Sequence, residues 1–489
     1  MLVKPPQNLR VDPLSISLQG TRPEKVYRIG TLSYTLRGLV VLSLWLLWGD
    51  FAFTFFESIF SRFLPLYLKD LHASNNVIGI MTGSLAGVVN ILFLPNISQW
   101  SDHYRGPWGR RIPFLYVVTP LTVVSLLAVG FAPEIAEWVR SHILLHFTSS
   151  VSTNAIVLPL LCVFVVSFHF FNMVLVNAYN WLLRDVVPQE LMARFLSWFR
   201  IVGTVSSFLF LRFVFPSVIS HRKEVFLSVG LFYLVAFLLM CWKVKEGEYL
   251  DLAATIEDRP GILKSFFLYF RECLSEPVYR NFFIVYVLVV AAITCSGPFS
   301  VLFARDMLGL DMDTMGSVFA WGAAATALAY FPIGWLCDKF SPFSVTLGAL
   351  IGLVLGSVLA FYFVANRASL LVYIIVFTIP SVGWALGSIA ATMRLFPAEK
   401  FGQFSSGLNV FACGALILGN YLIGTLMDLT HSNYRMIFLW SAALYALAIF
   451  PMFWVYRDWK KLGGPHHYVP PLPGTVAASS VSDGNSLLN

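Results

Sequence analysis

The sequence is poor in charge. Asp, Glu, Lys and Arg make up 12% of its 489 residues, about half the share of roughly 25% that an ordinary soluble domain carries. A soluble chain of this length would divide into several domains with polar surfaces, and there are too few charges to solvate them. The 6 cysteines (Cys162, Cys241, Cys273, Cys295, Cys337, Cys413) are also sparse and far apart, all but Cys273 within apolar stretches. That excludes a disulfide framework and a Cys-based metal site. No nucleophile with a nearby base and no metal-ligand spacing suggests an enzyme or a cofactor. The net charge of +7 does not indicate nucleic acid, because the basic residues are scattered through short connectors and form no stripe that could track phosphates. Residues 1–36 lack the short apolar core and small-residue cleavage site of a signal peptide, so the amino terminus is expected to be uncleaved.

What the chain has instead is hydrophobic length. Its composition is 57% hydrophobic and its mean hydropathy is +0.74. Runs long enough to cross about 30 Å of hydrocarbon occur at 38–66, 76–99, 112–132, 155–183, 192–218 and 224–243, and again at 281–304, 312–336, 343–365, 369–393, 405–428 and 434–456. The expected fold is an all-α, multi-pass protein of the cell membrane with twelve spans in two bundles of six. Residues 1–36 precede the first bundle (37–243), a polar connector (244–280) leads to the second (281–457), and 458–489 form a largely disordered tail. Most Lys and Arg residues fall in alternate connectors, which predicts that both termini are cytoplasmic. No folded-domain-sized segment lies outside the bundles, which argues against a sensor or scaffold role.

The halves repeat one another. Pro188-Gln189-Glu190, followed after three residues by Arg194-Phe195, recurs as Pro397-Ala398-Glu399, then Gln403-Phe404, and Ser101-Asp102 is echoed by Cys337-Asp338. Internal repeats typify transporters that rock two bundles about a midplane site. In spans 3, 6, 9 and 12, residues 112–132, 225–242, 343–363 and 436–456 contain no charged, His, Asn or Gln residue, so these spans can face lipid, whereas charged side chains gather where a cavity receives them. In span 1, Asp50, Thr54, Glu57 and Ser61 share one helical stripe, with the two acids roughly 10 Å apart at about 1.5 Å per residue. They either bracket a ligand or pair with buried Arg200 or with Arg62, which its place near the end of the apolar run puts at the interface. Span 5 aligns Ser197, Arg200, Thr204 and Ser207, and Arg200 is substrate ligand, counter-ion or each in turn. Span 4 aligns His169, Asn172, Val176 and Asn180. A histidine reached by water titrates near neutrality. The second half offers Asn409, Trp384 and small hydroxyl residues, with Trp45, Trp48 and Trp321 as further stacking candidates for a sugar ring.

The run Ser101 to Phe114, SDHYRGPWGRRIPF, resembles the loop between the second and third helices of the major facilitator superfamily. It is most similar to two sugar branches, the sucrose-type proton symporters and the glycoside-pentoside-hexuronide:cation symporters. Both lengthen this loop and end it in Gly-basic-basic-x-Pro-aromatic, here Gly109-Arg110-Arg111-Ile112-Pro113-Phe114. The resemblance implies a cytoplasmic gate built from Asp102, Arg110, Arg111 and Asp338. The superfamily's Gly before the acid is Ser98 in the first half and is kept as Gly334 in the second. Counting back from Leu182-Leu183-Arg184-Asp185 places the proton-accepting position of sucrose-type symporters at His169 and matches their Asn at Asn172, while the other branch's sugar-binding acid falls at Asn172. Asn90 and Leu94 stand where that branch has cation-binding acids, so sodium is not the expected coupling ion. Trp48-Gly49-Asp50-Phe51 and Gly402 through Asn409 resemble further sugar-branch runs.

Together these readings predict a proton-coupled symporter for a sugar or glycoside, working as a monomer by alternating access. Asp50, Glu57 and His169 are the proton-site candidates. Asp50, Asn172, Asn180, Arg200, Trp384 and Asn409 are the expected substrate contacts. The main rival is a lysolipid or amphipathic drug carrier of the same fold, which would need a groove open to lipid.

Overall fold

The computed structural model describes residues 27–29, 31–142, 153–247 and 271–471. Among them, 12 helices are long and apolar enough to cross a membrane: Leu36–Asp70, Asn75–His103, Ile112–Gly130, Ile156–Val186, Gln189–Ser217, Arg222–Lys243, Pro277–Met307, Met312–Lys339, Pro342–Phe363, Arg367–Leu395, Ala398–Leu429 and Met436–Lys461. These are spans 1 to 12. Several exceed the apolar runs that announce them, because a helix continues until it is capped rather than until its hydropathy falls. Span 1 starts at the cap Thr35, whose hydroxyl accepts from Gly38 N at 3.2 Å, and runs through Lys69. Asp311, Ser341 and Asn366 cap spans 8, 9 and 10 in the same way. An antiparallel hairpin, Tyr27–Ile29 with Leu32–Tyr34, precedes span 1 and departs from the all-helical expectation.

The spans form two bundles. In the first, span 1 packs on spans 5 and 6, and span 3 on spans 4 and 6; in the second, span 7 packs on 11 and 12, span 9 on 10 and 12, and span 8 on 10. The connector is less separate than its polarity suggests, since Val244 is buried and Glu246 is hydrogen-bonded into the first bundle. The start of the tail is likewise held: Tyr279 Oη donates to Pro471 O at 2.8 Å and Tyr468 Oη to Leu395 O at 3.0 Å. Residues 1–26, 248–270 of the expected connector and 472–489 of the tail lie outside the described residues.

Span 2 meets span 11 and span 5 meets span 8 across the bundles. The first of these seams is built on glycine. A Cβ at Gly79 would strike the Asn420 carbonyl, one at Gly83 the Asn420 side chain, and one at Gly87 would come within 2.8 Å of Cys413 O. On the facing side a Cβ at Gly424 would lie 2.7 Å from Asn75 O. Small residues let membrane helices approach to backbone contact. A polar clasp closes the same end. The Asp428 carboxylate accepts from Asn75 N at 2.8 Å, Asn76 N at 2.9 Å and Asn75 Nδ2 at 2.9 Å, so the last turn of span 11 caps the first turn of span 2. Tyr434 Oη donates to Asn75 Oδ1 at 2.8 Å, and Arg305 pairs with Asp70 at 2.8 Å. These cross-bundle contacts all lie at the end away from the termini.

Three spans contain a π-turn: Ile80–Ser84 in span 2, Phe210–Val214 in span 5 and Phe303–Met307 in span 7. Such turns break the regular ladder and are frequent at functional sites.

Asp428→Ala should weaken closure of this end by about 1.5–3 kcal/mol, the worth of hydrogen bonds to a charged group. Spin labels introduced by His72→Cys and His431→Cys should then show a second, longer distance; a distribution identical to the parent would assign closure to the glycine seam alone.

Candidate functional site

Between the bundles lies a cavity of about 860 Å³. Its first-half wall carries Asp50, Thr54, Glu57, Arg62, Asn180 and Arg200. The stripes of spans 1 and 5 therefore converge, with Thr204 and Ser207 continuing the span 5 face. Gly203 allows it: a Cβ there would sit 3.2 Å from Asp50 Oδ2 and 3.4 Å from Thr54 Oγ1. A side chamber of about 470 Å³ adjoins the cavity, lined by Ser61, Thr82, Asn90, His169, Asn172 and Asn177 among others. Glu57, Arg62, Val176 and Gly297 line both spaces and so stand at their junction.

The charges in this space are not paired off. Asp50 is 3% exposed, and its Oδ2 has no hydrogen-bond partner among the described residues. Asp50, Glu57, Arg62 and Arg200 make no ion pair with one another within 4.0 Å there, although a structural ion pair was one of the readings of the stripe. Glu57 lines the side chamber together with Asn172. The Arg62 guanidinium lies 5.2 Å from the centre of the Phe319 ring. Charges inside a membrane are costly, and they persist where a cavity hydrates them or a ligand completes them.

His169 is 8% exposed and its Nε2 lies 2.9 Å from Met81 O, inside the π-turn of span 2. A carbonyl only accepts, so Nε2 carries the hydrogen and Nδ1 is the nitrogen left to take up a proton. Phe60 meets the ring edge-on at 5.3 Å. Span 4 thus presents His169 and Asn172 to the side chamber and Asn180 to the main cavity, from one face of one helix.

The second-half wall differs from the expectation. Trp384 is buried in the core of the second bundle with Tyr286 at 6.2 Å, and Asn409 is exposed on span 11; neither lines either space. Trp45, Trp48 and Trp321 line neither as well. The wall is made instead by Phe303, Phe319, Tyr373, Phe377 and Tyr445, interspersed with Ser296, Ser300, Thr326, Thr378, Ser381 and Ser441. Ser441 and Tyr445 belong to span 12, expected to face lipid. A search for charges and amides passes over hydroxyls, and hydroxyl spacing is the signal that would have found them. Arg62 was also placed at an interface by its position near the end of an apolar run; the helix continues to Asp70, which leaves Arg62 inside.

The loop residues expected to gate the terminal end form a compact network within the first bundle. Arg110 grips Asp185 through Nε at 3.1 Å and Nη2 at 2.8 Å. Arg111 is 4% exposed, pairs with Asp102, donates to Ser101 Oγ at 2.5 Å and lies 4.8 Å from the Trp181 ring. Glu246 accepts from the backbone N–H groups of Arg110 (2.8 Å), Arg111 (2.8 Å) and Ile112 (2.6 Å), capping span 3. Burial holds the Glu246 carboxyl above the ordinary range against the pull of these three amides. Gly109, at φ +98°, brings the loop against the Glu246 side chain. Asp338, at the end of span 8, makes no ion pair among the described residues.

No curated protein matches the chain. Among solved structures it is similar to a bacterial homologue of the human lysosomal transporter Spinster in an inward-facing conformation (14% identity, TM-score 0.64, 86% of this chain and 98% of the other). It is also similar to the inward-open xylose transporter XylE from E. coli (14%, 0.58, 85% and 95%) and the nucleoside transporter NupG (13%, 0.60, 85% and 99%). At such identities the likeness is one of fold, and the fold is that of a multi-pass membrane transporter. Residues 46–398 match the MFS/sugar transport protein family, and the chain belongs to that family of membrane transporters.

Proposed function

We propose that the protein moves a sugar or glycoside across the membrane by alternating access, driven by protons. The observation that carries this reading is the cavity of about 860 Å³, within the range of small-ligand sites, sealed at one end and lined by acids, guanidinium groups and hydroxyls. With the terminal end assigned to the cytoplasm by the charge bias, this is an inward-open state. Asn180 and Arg200 are exposed within the cavity wall.

The grouping suits a hydroxyl-rich ring. Carboxylate and guanidinium of the first half supply acceptors and forked donors, and the aromatic residues of the second half supply faces on which a pyranose can lie. Arg62 joins Asp50, Asn180 and Arg200 as a substrate contact; Asn172, which shares the side chamber with Glu57 and His169, belongs with the proton site instead. The likeness to a xylose transporter and a nucleoside transporter is consistent with a sugar-bearing substrate. One wall of the cavity carries carboxylate, guanidinium and amide groups rather than an apolar surface, which favours this reading over the lysolipid carrier.

For coupling, Asp50, Glu57 and His169 form a series in which Glu57 stands at the junction of the two spaces and His169 and Asn172 line the side chamber beyond it. One charge moving down 100 mV supplies about 2.3 kcal/mol, enough for roughly fifty-fold accumulation, so one titrating group suffices.

Vesicles containing the purified protein should accumulate one labelled mono- or disaccharide under an imposed proton gradient and lose that accumulation on adding a protonophore. Uptake of a fluorescent lysolipid in place of any sugar would refute the assignment. His169→Gln should retain substrate counterflow while abolishing gradient-driven accumulation; loss of both would take the coupling role away from His169. Arg62→Gln should weaken substrate binding about tenfold or more, roughly 1.4 kcal/mol, measured by tryptophan fluorescence titration, with an unchanged Kd showing that Arg62 is not a ligand.

A further inference from the structure

A third cavity, of about 700 Å³, lies apart from the transport path, between the loop joining spans 2 and 3 and the residues that follow span 6. Arg105, Trp108, Tyr116, Trp242, Lys245 and Glu246 line it. Lys243 adds a cation at its edge, with Nζ 4.2 Å from the centre of the Trp242 ring. Among the described residues Glu246 is the one carboxylate that lines it, and it accepts from the amides that begin span 3, while Arg105, Lys243 and Lys245 bring three cations to the same wall. Arg105 donates through Nη1 to its own loop, to Asp102 O at 2.6 Å and Tyr104 O at 2.9 Å, which fixes the guanidinium at the rim.

The cavity is continuous with surface that faces hydrocarbon. Leu231, Val235, Leu239 and Trp242 recur at i, i+4, i+8 and i+11 on span 6 and are all exposed, Trp242 to 65%. On span 3, Val117, Leu121 and Val124 form a second exposed apolar row, beginning beside Tyr116. Trp108, also 65% exposed, lies 5.5 Å from the Tyr116 ring. Aromatic side chains with an apolar body and a polar edge mark the headgroup level of a bilayer. The stripe of span 6 therefore ends, at headgroup depth, in a basic pocket.

We propose that this pocket is a binding site for an anionic phospholipid, its phosphate held by Arg105 and Lys245 and an acyl chain laid along the row from Trp242 to Leu231. A soluble anion would satisfy the cations but leave the apolar row uncovered, and a zwitterionic lipid would bring a second cation into a pocket already positive. The site falls on the face that the charge bias assigns to the cytoplasm, where anionic lipids concentrate. It binds lipid against the connector that joins loop, span 3 and Glu246, so its occupant is a resident of the first bundle rather than cargo.

The full-length protein, purified in detergent and loaded with dioleoyl phosphatidylglycerol or dioleoyl phosphatidylcholine, tests this by native mass spectrometry. The phosphatidylglycerol adduct should survive collisional activation and the phosphatidylcholine adduct should not. Arg105→Gln combined with Lys245→Gln should reduce phosphatidylglycerol retention at least tenfold, and Trp242→Ala should reduce retention with the cations intact. Equal retention of the two lipids by the parent protein would overturn the proposal, as would displacement of the lipid by millimolar inorganic phosphate. Should the double variant not fold, a phosphatidylglycerol carrying a photoreactive headgroup should crosslink the parent protein within residues 105–116 or 242–247; crosslinks confined to other segments would equally refute the site.

Discussion

An ionised group in hydrocarbon must be hydrated or matched, and this requirement organises the molecule around its centre. Asp50, Glu57, Arg62 and Arg200 occupy the middle of a chain in which spans 3, 6 and 9 present no side chain to either central space. Charges gathered in this way oblige the bundles to enclose water or substrate between them. Aromatic contacts such as Phe56 against Tyr233 at 4.3 Å in the first bundle and Phe283 against Phe411 at 5.3 Å in the second tie together the helices of each bundle.

The two ends use different chemistry. At the end away from the termini, closure is by backbone approach at glycines plus hydrogen bonds to Asp428 and the Arg305–Asp70 ion pair. At the terminal end the basic loop is turned inward upon its own bundle, where Arg110 and Arg111 are satisfied by Asp185 and Asp102. A cation already paired in one state can exchange partners in the other without passing through a desolvated, unmatched intermediate.

Much of this was legible in the sequence because membrane helices obey few rules. The count of spans, the six-plus-six division and the polar stripes of spans 1, 4 and 5 follow from hydropathy and the 3.6-residue period, and these stripes do face the central spaces. The second-half wall was not legible. Trp384 and Asn409 were singled out by residue type, yet a tryptophan in a membrane helix packs into a core as readily as it lines a path, and serine and threonine, which do line it, commonly bond to their own helix, as Ser381 does to Phe377 O at 2.8 Å. Arg62 was misplaced because hydropathy ends where polarity begins, whereas the helix carries on. The glycine seam was invisible since closeness between helices is a property of pairs, which one sequence read along its length does not display.

The π-turn at Ile80–Ser84 has a geometric effect beyond the carbonyl it offers to His169. One residue added to an α-helix advances the azimuth of everything after it by about 100°. Span 2 is therefore two helices out of phase, joined by a dislocation. The residues before it, including Asn75 and Gly79, and those after it, including Gly87, reach span 11 from a sequence whose repeat would otherwise drift off that face. Removing the extra residue would restore a regular helix and rotate one part of the seam into the side chamber. The same defect thus keeps span 2 in phase with its partner and sets the ring of His169 against its neighbour.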